Sequence, residues 1–507
     1  MSDVGGLLEA PAGQDPARSA LVMADGTVWS YAALAHLTAR WADTLRAAGV
    51  GPDDRVALAD RGGARGTAVT LAAAAIGAAT AQMNPALTAP EFADLVAVAR
   101  CGPVAVAADD AAGPLGDALG PAVVVLSDPV PVLSDPAPVL SSTLDADREV
   151  LVLFTSGTTG TPKAVPVTNA AVMARMSAYR SPFAPGRPAG VSLMCVPSFH
   201  IGGMLGLLLN LFGGDTTVVM PRFDAGRWLA LVDEHGVTGA FLVPTMLARV
   251  LDHPDATSTD LPSLRTLGYG AAAAPVDLVR RAMDRWPHVG FANVFGQTET
   301  LGAYTTLGPD DHRDARRIGS VGRPLPGVEV RVVDPVTGAG RADGEVGELW
   351  VRSAQTVGGT TSVRAPDGTA GWFATGDLAH RDPDGYLYPS GRMSETINRG
   401  GEKFGPVEVA DAVRTHPAVS EVAVAGVPDT EMGERVGVLV VAVDPAHAPT
   451  LDQLRGHCRD RLAPYKLPEV LVVVDALPVN DLGKLPRRVV TERIVQGRAA
   501  PAMTDHR

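Results

Sequence analysis

The first stretch that could do chemistry is LVLFTSGTTGTPKAV, residues 151–165. An apolar run that predicts a β-strand leads into a loop of hydroxyl side chains and glycines that ends at Lys163. Glycines let the backbone approach an anion, hydroxyl and N–H groups donate hydrogen bonds, and the lysine adds a positive charge. The spacing differs from the GxxxxGK[ST] pattern of the common nucleotide-binding loop. We therefore interpret the stretch as a phosphate-binding loop of another kind, rather than as a plain surface turn.

This loop resembles the signature loop of the adenylate-forming enzymes, a superfamily of acyl- and aryl-CoA synthetases, peptide-synthetase adenylation domains and firefly-type luciferases. Further stretches resemble other motifs of the superfamily and follow in the same order. They are PSFHIGG at 197–203, GYGAA at 268–272, NVFGQTET at 293–300, WFATGDLAHRDPDGY at 372–386, GRMSETINRGGEKFGPVEV at 391–409 and PVNDLGK at 478–484. Because these stretches span nearly the whole chain, the resemblance is specific.

The resemblance implies a set of contacts with ATP. It assigns ATP or AMP binding to Thr155, Ser156, Gly157, Thr158, Thr159, Gly160, Gly270, Ala271, Ala272, Asn293, Val294, Phe295, Gly296, Gln297, Thr298, Asp377 and Arg392. Thr298 would contact the α-phosphate, and Glu299 would help to hold Mg²⁺, because a carboxylate beside phosphate oxygens needs a cation between them. Asp377 would accept hydrogen bonds from both ribose hydroxyls. Arg392 would contact ribose or phosphate.

The resemblance also implies where the acid binds. It places His200 beside the acyl carboxylate, in a pocket with Phe199, Gly268, Tyr269 and Gly270. Amino-acid-activating relatives usually carry an Asp near this block, and FHIGG stands here instead, which disfavours an amino-acid substrate. Small and apolar lining residues favour an uncharged, bulky acyl group. Aryl, medium-chain and polycyclic acids all remain open.

The C-terminal motifs imply the groups for the second half of the reaction. Gly400, Gly401, Glu402 and Lys403 would line a channel for coenzyme A, where bare backbone leaves room for a thiol chain. Ser394 would be the hinge residue. Lys484 would bridge the substrate carboxylate and the α-phosphate. The implied catalytic residues are Lys484, His200, Thr298, Glu299 and Lys163.

The implied activity is that of an acyl-CoA ligase, which converts ATP, a carboxylic acid and CoA into acyl-CoA, AMP and diphosphate. The superfamily separates the two halves by rotating its small domain. Three departures from the usual motifs are Ser394 in place of Asp or Lys, Pro486 after the lysine motif, and Phe295 in place of Tyr. They keep open the hypothesis that the protein mainly performs the thioester-forming half on an adenylate made elsewhere.

Three other classes of protein compete with the acyl-CoA ligase hypothesis. The first is an enzyme that loads the acyl group onto a separate carrier protein instead of CoA. A luciferase-type oxygenase is a more distant alternative. A non-catalytic acyl-adenylate binding protein belongs to another class, and the presence of Lys163 and Lys484 disfavours it.

The elements that must position these residues form two groups. From Val150 onward, short β-rich runs alternate with helical segments, which indicates parallel strands with crossover helices. Val328–Val333 and Gly347–Val351 predict antiparallel strands, and a new α+β pattern starts after Gly391. We predict an α/β protein with a large N-terminal domain, residues 1–392, holding two parallel-type sheets flanked by helices and a small β-barrel-like part. A small mobile α+β domain, residues 393–507, would follow a hinge near 392–395.

Bulk properties agree with a globular enzyme. A chain of 507 residues is too long for one compact core. The net charge of −13, from 43 basic and 56 acidic residues, disfavours nucleic acid or an anionic membrane as the partner. The apolar stretches Thr67–Met83 and Ile201–Gly214 are too short to span a membrane and predict buried helices. The N-terminus does not resemble a signal peptide, so we expect a cytoplasmic protein.

The cysteines give no sign of a metal or redox site. Cys101, Cys195 and Cys458 lie far apart in the sequence and form no CxxC or Cys/His pair at metal-ligand spacing. We interpret them as buried thiols of a protein in a reducing compartment.

Overall fold

The computed structural model describes residues 3–102, 105–107, 114, 117, 123–125, 145–155, 162–180, 189–357, 362–479, 485 and 487–499. By its internal contacts the chain divides into two compact units. The first comprises Met1–Val330, Val351–Val363 and Gly371–Phe373, and the second comprises Arg331–Trp350, Arg364–Ala370 and Ala374–Arg507. Among the helices within the described ranges, none combines the length and the apolarity that crossing a membrane requires.

The strands and helices are numbered here in chain order. The strands are β1 Ser19–Met23, β2 Val28–Ser30, β3 Arg55–Ala59, β4 Ala79–Met83, β5 Ala105–Ala107, β6 Val123–Val125, β7 Glu149–Thr155, β8 Lys163–Thr168, β9 Val191–Met194, β10 Thr216–Val219, β11 Gly239–Leu242, β12 Thr266–Gly270, β13 Gly290–Gln297, β14 Gly302–Leu307, β15 Arg323–Pro324, β16 Val328–Val333, β17 Gly347–Ser353, β18 Ser362–Val363, β19 Trp372–Arg381, β20 Leu387–Arg392, β21 Ile397–Arg399, β22 Glu402–Phe404, β23 Val419–Asp429, β24 Gly433–Ala442 and β25 Val470–Val473. The helices are α1 Glu9–Gln14, α2 Tyr31–Ala47, α3 Ala64–Ala75, α4 Ala89–Ala99, α5 Asn169–Arg180, α6 Ile201–Gly213, α7 Ala225–Glu234, α8 Pro244–Asp252, α9 Val276–Arg285, α10 Pro309–His312, α11 Pro406–Arg414, α12 Leu451–Cys458 and α13 Arg487–Ala499.

The first unit is built on two mainly parallel sheets. One has nine strands in the order β15-β14-β13-β12-β11-β9-β10-β1-β2, and the other has six in the order β6-β5-β3-β4-β7-β8. Strands β9, β10, β11, β12 and β13 pair in parallel, and so do β3 with β4 and β4 with β7. Since the carboxyl ends of parallel strands meet at one edge of a sheet, side chains that follow these strands come together there.

Apolar packing fixes both sheets of the first unit. One buried cluster joins α2, α3 and α6 to β7 and β8, with Leu34, Leu71, Leu207 and Val165 among its members. A second cluster packs α7, α8 and α9 against the nine-stranded sheet. Helix α6 is apolar on most of its surface because it lies inside the first cluster, which confirms the predicted buried helix at Ile201–Gly214.

The second unit contains the predicted small α+β fold. Strands β21 to β25 form a five-stranded sheet in the order β22-β21-β24-β23, with β25 parallel to β24. Helices α11 and α12 contribute to one apolar cluster, and α13 contributes to another with β25. Strand β20 pairs antiparallel with the end of β19, so that Asp377 lies opposite Arg392. The α/β fold class is thereby confirmed, whereas the domain boundary near 392–395 stays a prediction.

The prediction of one buried helix over Thr67–Met83 is wrong in its second half. Helix α3 ends at Ala75, Gly77 adopts a positive φ of 83°, and Ala79–Met83 forms the fully buried strand β4. A left-handed glycine ends a helix readily. Periodicity could not reveal the change, because a strand buried on both faces is as apolar as a buried helix.

Candidate active site

The phosphate loop predicted from the sequence connects two paired strands. Thr155 ends β7, Lys163 begins β8, and the antiparallel register places them opposite each other. The Lys163 side chain is exposed. Ser156, Gly157, Thr158, Thr159 and Gly160 lie outside the described residues, so their contact with phosphate stays a prediction.

The GYGAA segment leaves the carboxyl end of β12 beside β13. Gly270 pairs with Val294, and a Cβ built on Gly270 would lie only 2.1 Å from the Val294 carbonyl oxygen. Any side chain at this position would therefore force the two strands apart. Ala271 then adopts a φ of 65°, a left-handed conformation that non-glycine residues seldom take. The segment predicted to line the adenine and acyl pockets is thus tightly constrained, and the adjoining Ala272 continues the same turn.

Tyr269 lies on the other face of β12, as strand alternation requires. Its hydroxyl is 2.9 Å from His312 Nε2, while His312 Nδ1 is 2.7 Å from the Gly308 carbonyl oxygen. Since only a protonated Nδ1 can donate to that carbonyl, Nε2 accepts from the tyrosine. Burial lowers the pKa of His312, which favours this neutral tautomer. The Tyr269 side chain is therefore engaged in the core, and any contribution to an acyl pocket would come from its backbone.

Replacing Tyr269 with phenylalanine is expected to lower the free energy of unfolding of the protein by about 1–3 kcal/mol at pH 7, because His312 Nε2 loses its buried donor. Urea unfolding measures this change. Tyr388→Phe is the matched control, since the Tyr388 hydroxyl donates to Asp382 at 3.3 Å in a half-buried position and its loss should matter less. Equal effects of the two variants would contradict the assignment of the buried hydrogen bond.

The NVFGQTET segment follows β13 into a 3-10 turn at Thr298–Thr300. The buried Gln355 side chain donates to the carbonyls of Thr300 and Ala303 at 2.8 and 2.9 Å. The Val357 amide donates to the Glu299 carbonyl at 3.0 Å. These bonds fix the turn and leave the side chains of Thr298 and Glu299 half-buried. The Glu299 carboxylate would suit Mg²⁺, because proteins commonly hold this ion through one or two carboxylates together with substrate phosphates.

The side chains of β13 alternate between its faces. The ring of Phe295 meets that of Tyr304 edge to face, with centroids 5.3 Å apart, and belongs to a small apolar cluster. The side-chain amide of Asn293 donates through Nδ2 to the Ser320 carbonyl oxygen at 3.4 Å. Val294, Gly296 and Gln297 complete the strand. The roles of these residues towards adenine stay predictions.

The PSFHIGG segment lies where β9 gives way to α6. His200 is the N-cap of that helix, and its ring is 4.6 Å from the buried ring of Phe199. A Cβ built on Gly302, just after the Thr298 turn, would lie 3.0 Å from Leu205 Cδ2. The first turns of α6 therefore pack directly against the segment that carries Thr298 and Glu299.

Phe241 joins these segments, although the sequence reasoning missed it. A Cβ built on Gly268 would lie 3.2 Å from the Phe241 ring, and a Cβ built on Gly202 would lie 3.9 Å from it. The half-buried ring thus fills the space between the start of α6 and the end of β12. The run GAFLVP, residues 239–244, is one of the β-rich runs that follow Val150, but only its register against β9 and β12 reveals where this ring lies.

The second unit holds the other predicted nucleotide contacts. Arg392 Nε is 2.9 Å from Asp377 Oδ1, and the Asp377 side chain is 7% exposed. The Gly376 amide donates to Glu348 Oε1 at 3.1 Å, and the Trp350 indole donates to Glu348 Oε2 at 3.0 Å. Glu348, which sequence reasoning also missed, therefore holds the part of β19 that presents Asp377.

The remaining predicted residues lie in the same unit or outside the described residues. Gly400 and Gly401 form the turn between β21 and β22, and Glu402 and Lys403 follow in β22. Ser394 lies in a 3-10 turn at Met393–Glu395, and its carbonyl accepts a hydrogen bond from Arg487. Lys484 and Pro486 fall outside the described residues.

Comparison with known proteins decides the family. Residues 8–359 match the profile of AMP-binding enzymes, and residues 408–484 match that of the AMP-binding enzyme C-terminal domain. The chain belongs to the AMP-binding enzyme family. The predicted resemblance to adenylate-forming enzymes is thereby confirmed.

Several members of the AMP-binding family are similar over much or all of the chain. FadD8 of Mycobacterium tuberculosis, a medium/long-chain-fatty-acid–CoA ligase, is 35% identical over 70% of this chain and 63% of its own length, which is less than two thirds of that relative. ScoC of Streptomyces coeruleorubidus, a fatty acid–[acyl-carrier-protein] ligase, is 31% identical over 93% of both chains. The solved structure of the amide bond synthetase McbA from Marinactinospora thermotolerans gives a TM-score of 0.84 at 29% identity, over 97% of this chain and 99% of that one.

The cysteines of this AMP-binding protein are free thiols. Burial raises the pKa of Cys101 and of Cys195 to about 12, so both stay protonated at neutral pH. Cys195 and Cys458 are buried, as predicted, whereas Cys101 is only half-buried. Burial also raises the pKa of Cys458. A thiol that stays protonated is a poor nucleophile.

Proposed function

We propose that this AMP-binding enzyme is an acyl-CoA ligase that activates an apolar carboxylic acid with ATP and transfers the acyl group to coenzyme A. The observation that carries the proposal is the packing of three motif segments within the first unit. Phe241 lies against both Gly202 and Gly268, and Gly302 lies against α6. The segments with His200, Gly270 and Thr298 therefore border one region, with apolar walls suited to an uncharged acyl group.

In the first half-reaction, a carboxylate oxygen of the acid attacks the α-phosphorus of ATP. A new O–P bond forms, the bond to the β-phosphate oxygen breaks, and diphosphate leaves. Lys484, Lys163 and Thr298 would stabilise the negative charge that grows on the phosphate oxygens. Glu299 would hold Mg²⁺, which supplies further neutralisation of phosphate charge. Asp377 would accept hydrogen bonds from the ribose hydroxyls.

In the second half-reaction, the CoA sulfur attacks the carbonyl carbon of the mixed anhydride. The C–S bond forms, the C–O bond to AMP breaks, and the thiol proton passes to solvent. Gly400 and Gly401, which carry no side chain, would leave room for the pantetheine chain. We propose that rotation of the C-terminal domain about Ser394 separates the two halves, as in other hinge-gated enzymes.

A separate carrier protein is the second candidate acceptor. The observation that favours it is the full-length similarity to ScoC, a fatty acid–[acyl-carrier-protein] ligase. Similarity to the amide bond synthetase McbA adds an amine to the acceptors worth testing. The first half-reaction, formation of the acyl-adenylate, would be the same for all three acceptors.

Screening a library of carboxylic acids against each acceptor identifies the substrate and the acceptor in one experiment. Each acid is incubated with the enzyme, ATP and Mg²⁺ in separate reactions that contain CoA, a phosphopantetheinylated carrier protein or an amine. The AMP formed in each reaction is measured. The proposal predicts that CoA gives the fastest AMP formation with an apolar acid. Faster turnover with the carrier protein would overturn CoA as the acceptor. Acid-dependent exchange of label between pyrophosphate and ATP excludes the hypothesis of a thioester-only enzyme.

A further inference from the structure

The hairpin that carries the predicted CoA-channel residues has a tight tip. Strands β21 and β22 pair in register from Ile397–Phe404 to Arg399–Glu402, which leaves only Gly400 and Gly401 in the turn. Both glycines have positive φ, 60° and 94°, as a two-residue hairpin turn of type I′ requires. The Gly400 amide donates to the Met432 carbonyl at 2.8 Å, so the tip is bound to the segment between β23 and β24.

A chain of four charged side chains lies beside the tip of this hairpin. Arg399 Nε donates to Glu469 Oε2 and Arg399 Nη2 donates to Glu469 Oε1, both at 2.8 Å. Glu469 Oε1 also accepts from Arg435 Nη1 at 3.2 Å, and Arg435 Nε donates to Asp429 Oδ2 at 2.6 Å. We call these four residues, Arg399, Glu469, Arg435 and Asp429, the hairpin charge chain.

Both ends of the hairpin charge chain are connected to the Gly400–Gly401 turn. One end, Arg399, immediately precedes Gly400 in the sequence. At the other end, Asp429 Oδ1 accepts the amide of Met432 at 3.0 Å and that of Glu431 at 3.1 Å. Because the Met432 carbonyl binds the Gly400 amide, the charge chain and the hairpin tip form a closed ring of contacts.

The hairpin charge chain is half-buried. The side chains of Glu469 and Asp429 are each 10% exposed, and those of Arg399 and Arg435 are 22% and 29% exposed. Bidentate arginine–carboxylate bonds fix both distance and orientation. Removing one partner of such a pair leaves the other charge poorly compensated, which disturbs the geometry that the pair had held.

We infer that the hairpin charge chain positions the Gly400–Gly401 turn for the thioester-forming half-reaction, and that Glu469 is its central positioning residue. The inference rests on the proposed function, because it assumes that this turn lines the path of the thiol. Glu469 contacts two arginines and the Val436 amide, so it acts on the turn through its neighbours. Loss of its charge should slow acyl transfer to CoA and leave acyl-adenylate formation intact.

The test separates the two half-reactions in Glu469→Gln. Pyrophosphate release without CoA should stay within about twofold of the unmodified enzyme. Acyl transfer from supplied acyl-adenylate to CoA should fall about tenfold or more, with a higher KM for CoA, because small misplacements of a reacting group have large kinetic effects. Hydrogen exchange of the Gly400 and Gly401 amides should become faster, which reports on the turn without depending on catalysis.

Two further variants keep the inference open to refutation. Arg399→Lys keeps the charge but loses the bidentate geometry, so its acyl transfer should lie between those of Glu469→Gln and the unmodified enzyme. Glu492→Gln removes an exposed pair with Arg488 in α13, 2.9 Å apart, and should change neither half-reaction. Equal loss of both half-reactions in Glu469→Gln, or unchanged acyl transfer and amide exchange, would overturn the inference. Absence of acid-dependent AMP formation in the unmodified enzyme would instead refute the proposed function.

Discussion

Replacing Lys484 with alanine is expected to abolish acid-dependent pyrophosphate release while largely sparing acyl transfer from a supplied acyl-adenylate to CoA. The expected loss in the first half-reaction is about 10²–10³-fold, the usual effect of removing a group that stabilises transition-state charge. The physical reason is that the lysine ammonium would bridge the substrate carboxylate and the α-phosphate only during adenylation. Rates of pyrophosphate release and of thioester formation, measured separately, check the prediction.

Arg488→Ala is the matched control for this experiment. Arg488 is a cation close to Lys484 in sequence, 80% exposed on α13, and its ion pair with Glu492 is of the exposed kind that contributes little. Its loss should leave both rates within about twofold of the unmodified enzyme. If Lys484→Ala slows both half-reactions equally, the role given to Lys484 is wrong.

The second large effect is expected from Asp377→Asn, which should raise the KM for ATP about 10–100-fold. Hydrogen bonds to a charged acceptor each contribute about 1.5–3 kcal/mol, and an amide offers one uncharged acceptor oxygen where a carboxylate offers two charged ones. The side chain is buried, and the backbone bonds of Gly376 to Glu348 and of Asp377 to Thr375 do not involve the Asp377 carboxylate. This part of β19 should therefore keep its conformation, although the ion pair between Asp377 and Arg392 is lost. Steady-state kinetics at saturating acid and CoA provide the measurement.

Asp343→Asn serves as the control for Asp377→Asn. Asp343 forms an ion pair with Arg381 at 2.9 Å in the same unit, but its side chain is 40% exposed. Its loss should leave the KM for ATP unchanged. A KM for ATP that rises less than about twofold in Asp377→Asn would exclude the ribose role.

The sequence predicts the fold class and the family well, because both depend on local patterns. Alternating β-rich and helical runs reveal the parallel sheets, and the largely apolar α6 is recognisable as a buried helix. The stretch Thr67–Met83 shows where local patterns fail. An apolar run conceals the change from α3 to β4, since both are buried on all sides.

The residues that position the site are less predictable than those within its motifs. Gln355, Glu348 and Phe241 each belong to an unremarkable local sequence, and their importance comes from long-range contacts. Gln355 reaches the carbonyls of Thr300 and Ala303, more than 50 residues away in the chain. The hairpin charge chain likewise joins β21 to Glu469 across 70 residues. Such partners emerge only once sheet pairing has brought distant strands together.

In the proposed mechanism, the acid attacks the α-phosphorus of ATP to give an acyl-adenylate. The fate of the carboxylate oxygen tests this step. A substrate acid labelled with ¹⁸O in its carboxylate is converted by the enzyme with ATP and CoA, and the AMP is analysed by mass spectrometry. The phosphate of each AMP is expected to carry one oxygen atom from the acid. AMP without the label, or ADP and phosphate as the nucleotide products, would exclude attack of the acid on the α-phosphorus.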